Sequence, residues 1–239
     1  MCGIIGYHGP RTPDALRWIE EMILEASRRG THATGLAYLE DGELCICNEP
    51  LPAKEFLDHY DLRGIAPNEK KLSFVAHTRY STSDLDWNQP LEDEECALVM
   101  NGVISQDEPD NWPVSIYEYE PYRTRNDVEV ALRFAKLGQR GEMPGSFAIL
   151  ELWQDGKMYA YRNAHRPLYW TSAQGGDFFF ASTEDIITRV LGPQRTPSML
   201  APGMVHDCVR TGVVSEFAVE AERQDRILNP LSSLRCPIE

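Results

Sequence analysis

Met1-Cys2-Gly3-Ile4-Ile5-Gly6-Tyr7 opens the chain, and its second residue decides how the rest is read. Initiator methionine is removed when the next side chain is small, and cysteine qualifies. The mature chain is therefore expected to begin with a thiol and a free α-amine on one residue. A thiol of pKa about 8.5 is only a few per cent thiolate at neutral pH, while an α-amine of pKa about 8 is roughly one-tenth neutral. The amine can thus serve as base to its own sulfur, through water, and no distant histidine is needed. Gly3 is expected to leave room beside the sulfur for a substrate carbonyl. A cysteine at position 2 taken alone is more often inert or buried, so the surrounding sequence must carry the reading.

The residues after this start predict alternating strands and a few helices. Gly3 to Tyr7 reads as a short strand. Thr12 as cap, Pro13 in the first turn and Leu16, Ile19, Ile23 and Ala26 at helical spacing then give a helix that closes before Gly30. Leu36 to Leu39 and Glu43 to Cys47 flank Asp41-Gly42, a pair suited to a tight hairpin. Leu72 to His77 and Ala97 to Ile104 are apolar runs of strand length, whereas Val128, Ala131, Leu132 and Ala135, closed by Gly138, have helical period. The second half reads as a meander: Ser146 to Trp153, Met158 to Tyr161, Leu168 to Thr171 and Phe178 to Ala181, with turns at Asp155-Gly156 and Gly175-Gly176. A helix follows from Ser182, which with Asp185 resembles a capping box. This order fits two sheets stacked between helical layers better than a doubly wound parallel sheet, and from the residues alone the class is mixed α and β.

Bulk properties narrow the function classes. The chain has 239 residues, 42% of them hydrophobic, with a formal net charge of −14. That charge repels nucleic acid and anionic membranes, so neither is expected as a partner. There is no run of about eighteen apolar residues and no secretory signal, which predicts a cytoplasmic protein. The six cysteines form no C-x-x-C pair. Cys45 and Cys47 read as strand residues sharing one face. His8, His32, His59, His165 and His206 lack ligand spacing, and no metal is expected. Between Asp84 and Asp110 there is no Lys or Arg, and Asp86, Glu92, Asp93, Glu94, Glu95, Asp107 and Glu108 read as a solvated acidic stretch. Gly3, Gly6 and Gly9 are not a dinucleotide fingerprint, because the strand, turn and helix order it needs is absent.

Several short motifs stand in a telling order. Met1-Cys2-Gly3-Ile4-Ile5-Gly6, Arg29-Gly30-Thr31-His32-Ala33-Thr34-Gly35, His77-Thr78-Arg79-Tyr80-Ser81-Thr82, Asn88-Gln89-Pro90, Asn101-Gly102 and Asn126-Asp127 come first. Gly145-Ser146-Phe147-Ala148, Arg162-Asn163, Arg166-Pro167-Leu168-Tyr169, Phe180-Ala181-Ser182 and Pro202-Gly203 follow. In order and spacing this set resembles the glutaminase domain of class II glutamine amidotransferases, as found in glucosamine-6-phosphate synthase and amidophosphoribosyltransferase, over about residues 1 to 205. Two places depart from that pattern: Met100 stands where many members have histidine, and Ser83-Asp84 where some have His-Gly.

The resemblance implies an α+β fold, a four-layer αββα sandwich of N-terminal nucleophile hydrolase type. It also implies an enzyme without cofactor, in which Cys2 attacks glutamine to form a thioester and release ammonia. Arg79 matches the arginine that forks onto the substrate α-carboxylate, with Tyr80 and Thr82 in the same substrate-binding segment. Asp127 matches the aspartate that receives the α-ammonium. The Asn101 side chain and the Gly102 N–H match the oxyanion hole. Each has a plainer reading: an arginine is usually solvated, an Asn-Gly pair is usually a turn, and Asp127 could cap the helix behind it. Their joint arrangement favours the site. His77 is expected to be a strand histidine with a structural hydrogen bond and no catalytic role.

Residues 1–205 are thus expected to be the glutaminase domain, and 206–239 a strand pair and tail that joins the same domain or docks a partner. The sequence has no G-x-x-x-x-G-K-[ST] phosphate loop and no Ser-Gly-Gly-rich pyrophosphatase motif. The expectation is therefore an L-glutamine hydrolase feeding a separate ammonia-accepting synthase. Hydrolysis of another γ-glutamyl compound is the alternative, and a non-catalytic module that keeps the fold is a third reading.

Overall fold

A computed structural model describes residues 2–81, 85–108, 112, 122–172, 176–210 and 212–216. In chain order the first elements are β1 (Gly3–Pro10), α1 (Pro13–Ala26), β2 (Ala33–Glu40), β3 (Glu43–Glu49), α2 (Ala53–His59) and β4 (Lys71–Arg79). Then come β5 (Leu91–Glu92), β6 (Cys96–Val103), α3 (Val128–Lys136), β7 (Ser146–Trp153), β8 (Met158–Arg162), β9 (Tyr169–Ser172) and β10 (Phe178–Ala181). The last are α4 (Glu184–Leu191), β11 (Ser198–Met199), β12 (Met204–Asp207) and β13 (Gly212–Glu216).

Local chemistry accounts for the first elements. Thr12 Oγ1 accepts from the Ala15 N–H at 3.1 Å and Pro13 sits in the first turn of α1, satisfying an orphan donor at a helix start. At the other end Thr78 Oγ1 of β4 donates to the Ala26 carbonyl at 2.9 Å, tying the helix end to the sheet. Asp41 and Gly42 have φ of 52° and 80°, the left-handed pair that a two-residue hairpin between β2 and β3 requires.

The strands form two antiparallel sheets, ordered β11-β9-β10-β1-β4-β2-β3 and β13-β12-β8-β7-β6-β5. Successive residues of the central strands face opposite layers. Ile4 and Val75 fill the space between the sheets, while Ile5, Phe74 and Ala76 pack against Leu16, Ile19 and Ile23 of α1 and Ile186 and Ile187 of α4. In the second sheet Val99 and Leu150 face inward, and Leu98, Met100 and Ile149 pack against Val128, Ala131 and Leu132 of α3. Strands covered on both faces read as unbroken apolar runs, which is why Leu72 to His77 and Ala97 to Ile104 lack polar alternation. Each such buried aliphatic side chain contributes roughly 1.5–3 kcal/mol. The result is four layers, helix on sheet on sheet on helix.

Two expectations need correction. The stretch from Ser146 to Ala181 is not one meander: β7 pairs with β8 in the second sheet, but β9 and β10 belong to the first. The chain crosses between sheets after Arg162, and Leu168 is buried in the space between them. Ser182 does not cap α4. Thr183 holds the cap position without a side-chain bond, and Ser182 Oγ instead accepts from the Ile4 N–H at 3.3 Å. Of the Gly175-Gly176 turn, Gly175 lies outside the described residues, and Gly176 has φ of 77°. β12 pairs with both β8 and β13.

Candidate functional site

The two-residue period of the strands brings the candidate side chains together. Ile4, Val75 and Val99 face the space between the sheets, so Cys2, His77, Arg79 and Asn101 face it too. Gly3 pairs with Thr78, which sets Cys2 beside Arg79 at the strand ends. Cys2 Sγ stands 3.9 Å from the Tyr80 carbonyl oxygen, and the Cys2 carbonyl accepts from Arg29 Nε at 2.9 Å. Arg29 has its pKa lowered, first by burial; the Cys2 sulfur acts to raise it and Arg166 to lower it. The glycines around Cys2 serve close packing. A Cβ on Gly3 would lie 2.6 Å from Thr78 Oγ1 and 2.7 Å from the Ala26 carbonyl oxygen. The room expected there for substrate is therefore filled by protein. A Cβ on Gly30 would lie 2.4 Å from the Arg79 carbonyl carbon.

The edge of β6 is where hydrogen bonding becomes informative. β5 pairs with β6 at Leu91↔Leu98 and Glu92↔Ala97, and beyond these residues that edge has no strand beside it among the described residues. In an antiparallel strand alternate residues turn both backbone groups to the same edge. Met100 is one: its N–H donates to Gln89 Oε1 at 2.6 Å and its carbonyl accepts from the His77 ring. Ile104 is another, donating to Asp127 Oδ2 at 2.6 Å. Gly102, midway between them, presents its N–H to this edge by the same alternation. On the far side a Cβ at Gly102 would lie 2.0 Å from the Ser146 carbonyl oxygen, so only glycine lets β6 and β7 close here. The adjacent Asn101 amide nitrogen is buried and has no hydrogen-bond partner among the described residues. A buried donor left unpaired costs roughly 1–3 kcal/mol, and in a native fold it asks for a ligand or water.

Asp127 does not cap α3. Asn126 Oδ1 takes the Val128 N–H at 3.1 Å, whereas the Asp127 carboxylate accepts from Ile104 and Ser105 N–H at 2.6 and 3.3 Å. Burial raises the Asp127 pKa, opposed by these backbone bonds and by the charge of Arg79. Arg79 is itself buried, and its Nη1 donates to the Trp87 carbonyl and to Asn88 Oδ1, both at 2.8 Å. A cation and an anion thus act on each other, with the cation beside Cys2 at the strand ends.

The remaining candidates fall as follows. Tyr80 is 51% exposed and its ring stacks on His32 with centroids 4.9 Å apart; the Ser81 N–H donates to His32 Nδ1 at 2.9 Å. Thr82 lies outside the described residues. His77 is fully buried, and burial with the Arg79 charge pulls its pKa down to about 3. Since Nε2 has no partner among the described residues, Nδ1–H is the donor to Met100. Arg29, Asn88, Gln89 and Asn126 stand in quoted motifs, yet the sequence assigns them no role. For Asn88 and Gln89 the signal was faint: neutral amides amid an acidic stretch, which only the fold shows to be buried. A groove of about 800 Å³ is lined by Arg11, Leu16, Tyr60 and Leu62 among others. It lies at the other end of β1, an eight-residue strand spanning about 26 Å.

Comparison with known proteins gives a concordant result. The family model for the glutamine amidotransferase domain matches residues 60–216, a stretch holding Arg79, Asn101, Gly102 and Asp127 but not Cys2. A search of curated proteins found no match. Among solved structures, glutamine phosphoribosylpyrophosphate (PRPP) amidotransferase from B. subtilis, complexed with ADP and GMP, superposes with a TM-score of 0.68 at 19% identity. The alignment covers 92% of this chain and 50% of that one. A structure of the allosteric regulatory enzyme of purine biosynthesis gives a TM-score of 0.71 at 19% identity, again covering 92% and 50%. A glutamine aminotransferase class-II domain protein from Silicibacter pomeroyi gives 0.51 at 14% identity, covering 91% of this chain and 100% of that one. The chain spans about half the length of the first two structures, and the likeness to all three is one of fold. The four-layer arrangement is the fold this chain shares with the first two structures.

Proposed function

The chain belongs to the glutamine amidotransferase domain family, and we propose that it hydrolyses L-glutamine to glutamate and ammonia through a thioester on Cys2 exposed by removal of Met1. The α-amine takes the thiol proton through water, and sulfur attacks the side-chain amide carbon. The tetrahedral intermediate carries its negative charge on the former amide oxygen. Collapse expels ammonia with the proton returned by the amine, and water then cleaves the thioester. Asn101 Nδ2 and the Gly102 N–H receive the oxyanion, Arg79 the α-carboxylate, and Asp127 the α-ammonium, with Tyr80 and Thr82 bordering the substrate.

The observation that carries this reading is that Asn101 and Cys2 lie on strand faces turned to the same space between the sheets, with the Gly102 N–H beside Asn101 on an edge of β6 that no strand covers among the described residues. The Asn101 donor is a buried amide with no acceptor among the described residues. Preorganised donors aimed at developing charge are the largest single source of acceleration in acyl transfer. Ammonia is the useful product, passed to a separate synthase that docks over the strand ends.

The test is the stoichiometry of hydrolysis by the Met1-processed protein, with and without proteins that co-purify from its host. Equal release of glutamate and ammonia, abolished in Cys2→Ala, is the expected result. Inert glutamine, or a preference for a γ-glutamyl compound with a larger leaving group, overturns it.

A further inference from the structure

We propose that Asn88 and Gln89 act as a two-armed brace: Asn88 sets the cation that grips the substrate carboxylate, and Gln89 sets the backbone that offers the oxyanion donors. The inference rests on the glutamine-hydrolysis reading above. The two neighbouring residues reach to different sheets. Asn88 Oδ1 accepts from Arg79 Nη1 of β4 at 2.8 Å, and Gln89 Oε1 accepts from the Met100 N–H of β6 at 2.6 Å. Both amides are buried within an otherwise acidic stretch.

Their segment is anchored from both sides. The Asn48 side chain of β3 donates to the Pro90 carbonyl at 3.1 Å, and a Cβ on Gly35 of β2 would lie 2.2 Å from the Gln89 carbonyl oxygen. Asn126, just before α3, donates to the Trp87 carbonyl at 3.0 Å, and Asn88 Nδ2 closes the turn onto the Leu85 carbonyl at 2.7 Å. The chemistry of each arm suits its task. A neutral acceptor at position 88 fixes Arg79 without cancelling its charge, which a carboxylate would do. At position 89 the amide oxygen supplies the bond that a neighbouring strand would have given Met100, two residues before Gly102, leaving the Gly102 N–H for the oxyanion. Neither residue reaches the reacting atoms, so both are positioning residues.

The split between the arms is the measurable consequence. Gln89→Met keeps similar volume and removes the acceptor; Asn88→Asp keeps the acceptor and adds a charge. In steady-state hydrolysis by the full chain, Gln89→Met is expected to lower kcat roughly 10- to 100-fold with KM within about twofold. It weakens binding of L-glutamate γ-semialdehyde, whose adduct with the thiolate is tetrahedral, but not of L-glutamate. Asn88→Asp is expected to raise KM and the glutamate Kd about tenfold with kcat little changed. Amide resonances report the brace independently of turnover. In Gln89→Met those of Met100 and Gly102 move while the melting curve stays cooperative. Proportional losses of kcat and KM in both variants, or unmoved Met100 and Gly102 resonances, overturn the brace. If those resonances move but wild type leaves glutamine intact, the hydrolysis reading falls and takes the catalytic half of the brace with it.

Discussion

Asn101 and Asp127 are both strained by burial, one as a donor without an acceptor among the described residues, the other as a carboxylate whose burial opposes its charge. Asn101→Ala is expected to lower kcat about 10²- to 10³-fold with KM nearly constant, and a change confined to KM would place Asn101 outside the oxyanion hole. The native Asp127 pKa is raised, so the residue stabilises the free fold at low pH, and that contribution is lost as pH rises through the raised pKa. Binding an ammonium demands the ionised form. KM should therefore climb as pH falls through this pKa, and Asp127→Asn should show a high KM without that limb; a pH-independent wild-type KM contradicts the assignment. Arg79 and Asp127 were singled out through the family resemblance, and the fold brings them near enough for the Arg79 charge to act on the Asp127 carboxyl. Asn88 and Gln89 were not, since a buried amide looks like a loop residue until its partners on other strands are known. Gly3 was misread for the same reason: its neighbours, Thr78 and Ala26, are remote in sequence.

β5 is short and pairs with β6 at two positions. Had β5 continued, the Met100 and Gly102 backbone groups would have been consumed by pairing; instead side chains take Met100 and Ile104, and Gly102 remains. Gly102→Ala tests this packing directly. The added Cβ, 2.0 Å from the Ser146 carbonyl oxygen, must push β6 from β7, costing roughly 1–3 kcal/mol as other overpacked sites do. Urea unfolding should show that loss together with impaired hydrolysis, while full activity at wild-type stability would mean the strands are not so closely apposed. Most elements were legible from apolar runs and turn residues. β7 and β10 fall where predicted, and β2 and β4 extend further at both ends because pairing with neighbours, not composition, sets where a strand stops. The Ser182 cap failed because β1 claims that hydroxyl. The meander failed because hairpin signals do not say which of two sheets a strand joins.

His77 joins the two sheets through the Met100 carbonyl, so its titration bears on the sandwich as a unit. Its native pKa of about 3 lies below the ordinary value of 6.5. The unfolded chain therefore binds the extra proton first, and stability present above the ordinary value is lost as pH falls toward about 3. The loss is roughly 1.4 kcal/mol for each unit of the difference. Denaturant midpoints between pH 7.5 and 4.5 should fall more steeply for wild type than for His77→Gln, which keeps a donor; parallel curves would remove His77 from this role. Part of the acidic stretch is answered within the chain, Asp93 by Lys136 at 2.9 Å and Glu108 by Arg125 at 3.4 Å. The residues alone gave mixed α and β with two stacked sheets; the four layers came from the family resemblance, and the placing of Cys2 beside Arg79 came only from register.

The measurement that bears most directly on all of this is the mass of the protein purified from its own host, before and after reaction with 6-diazo-5-oxo-L-norleucine. A chain beginning at Cys2, alkylated once on that sulfur and protected by glutamine, is the predicted result. A retained Met1, or a label that misses Cys2, would contradict it.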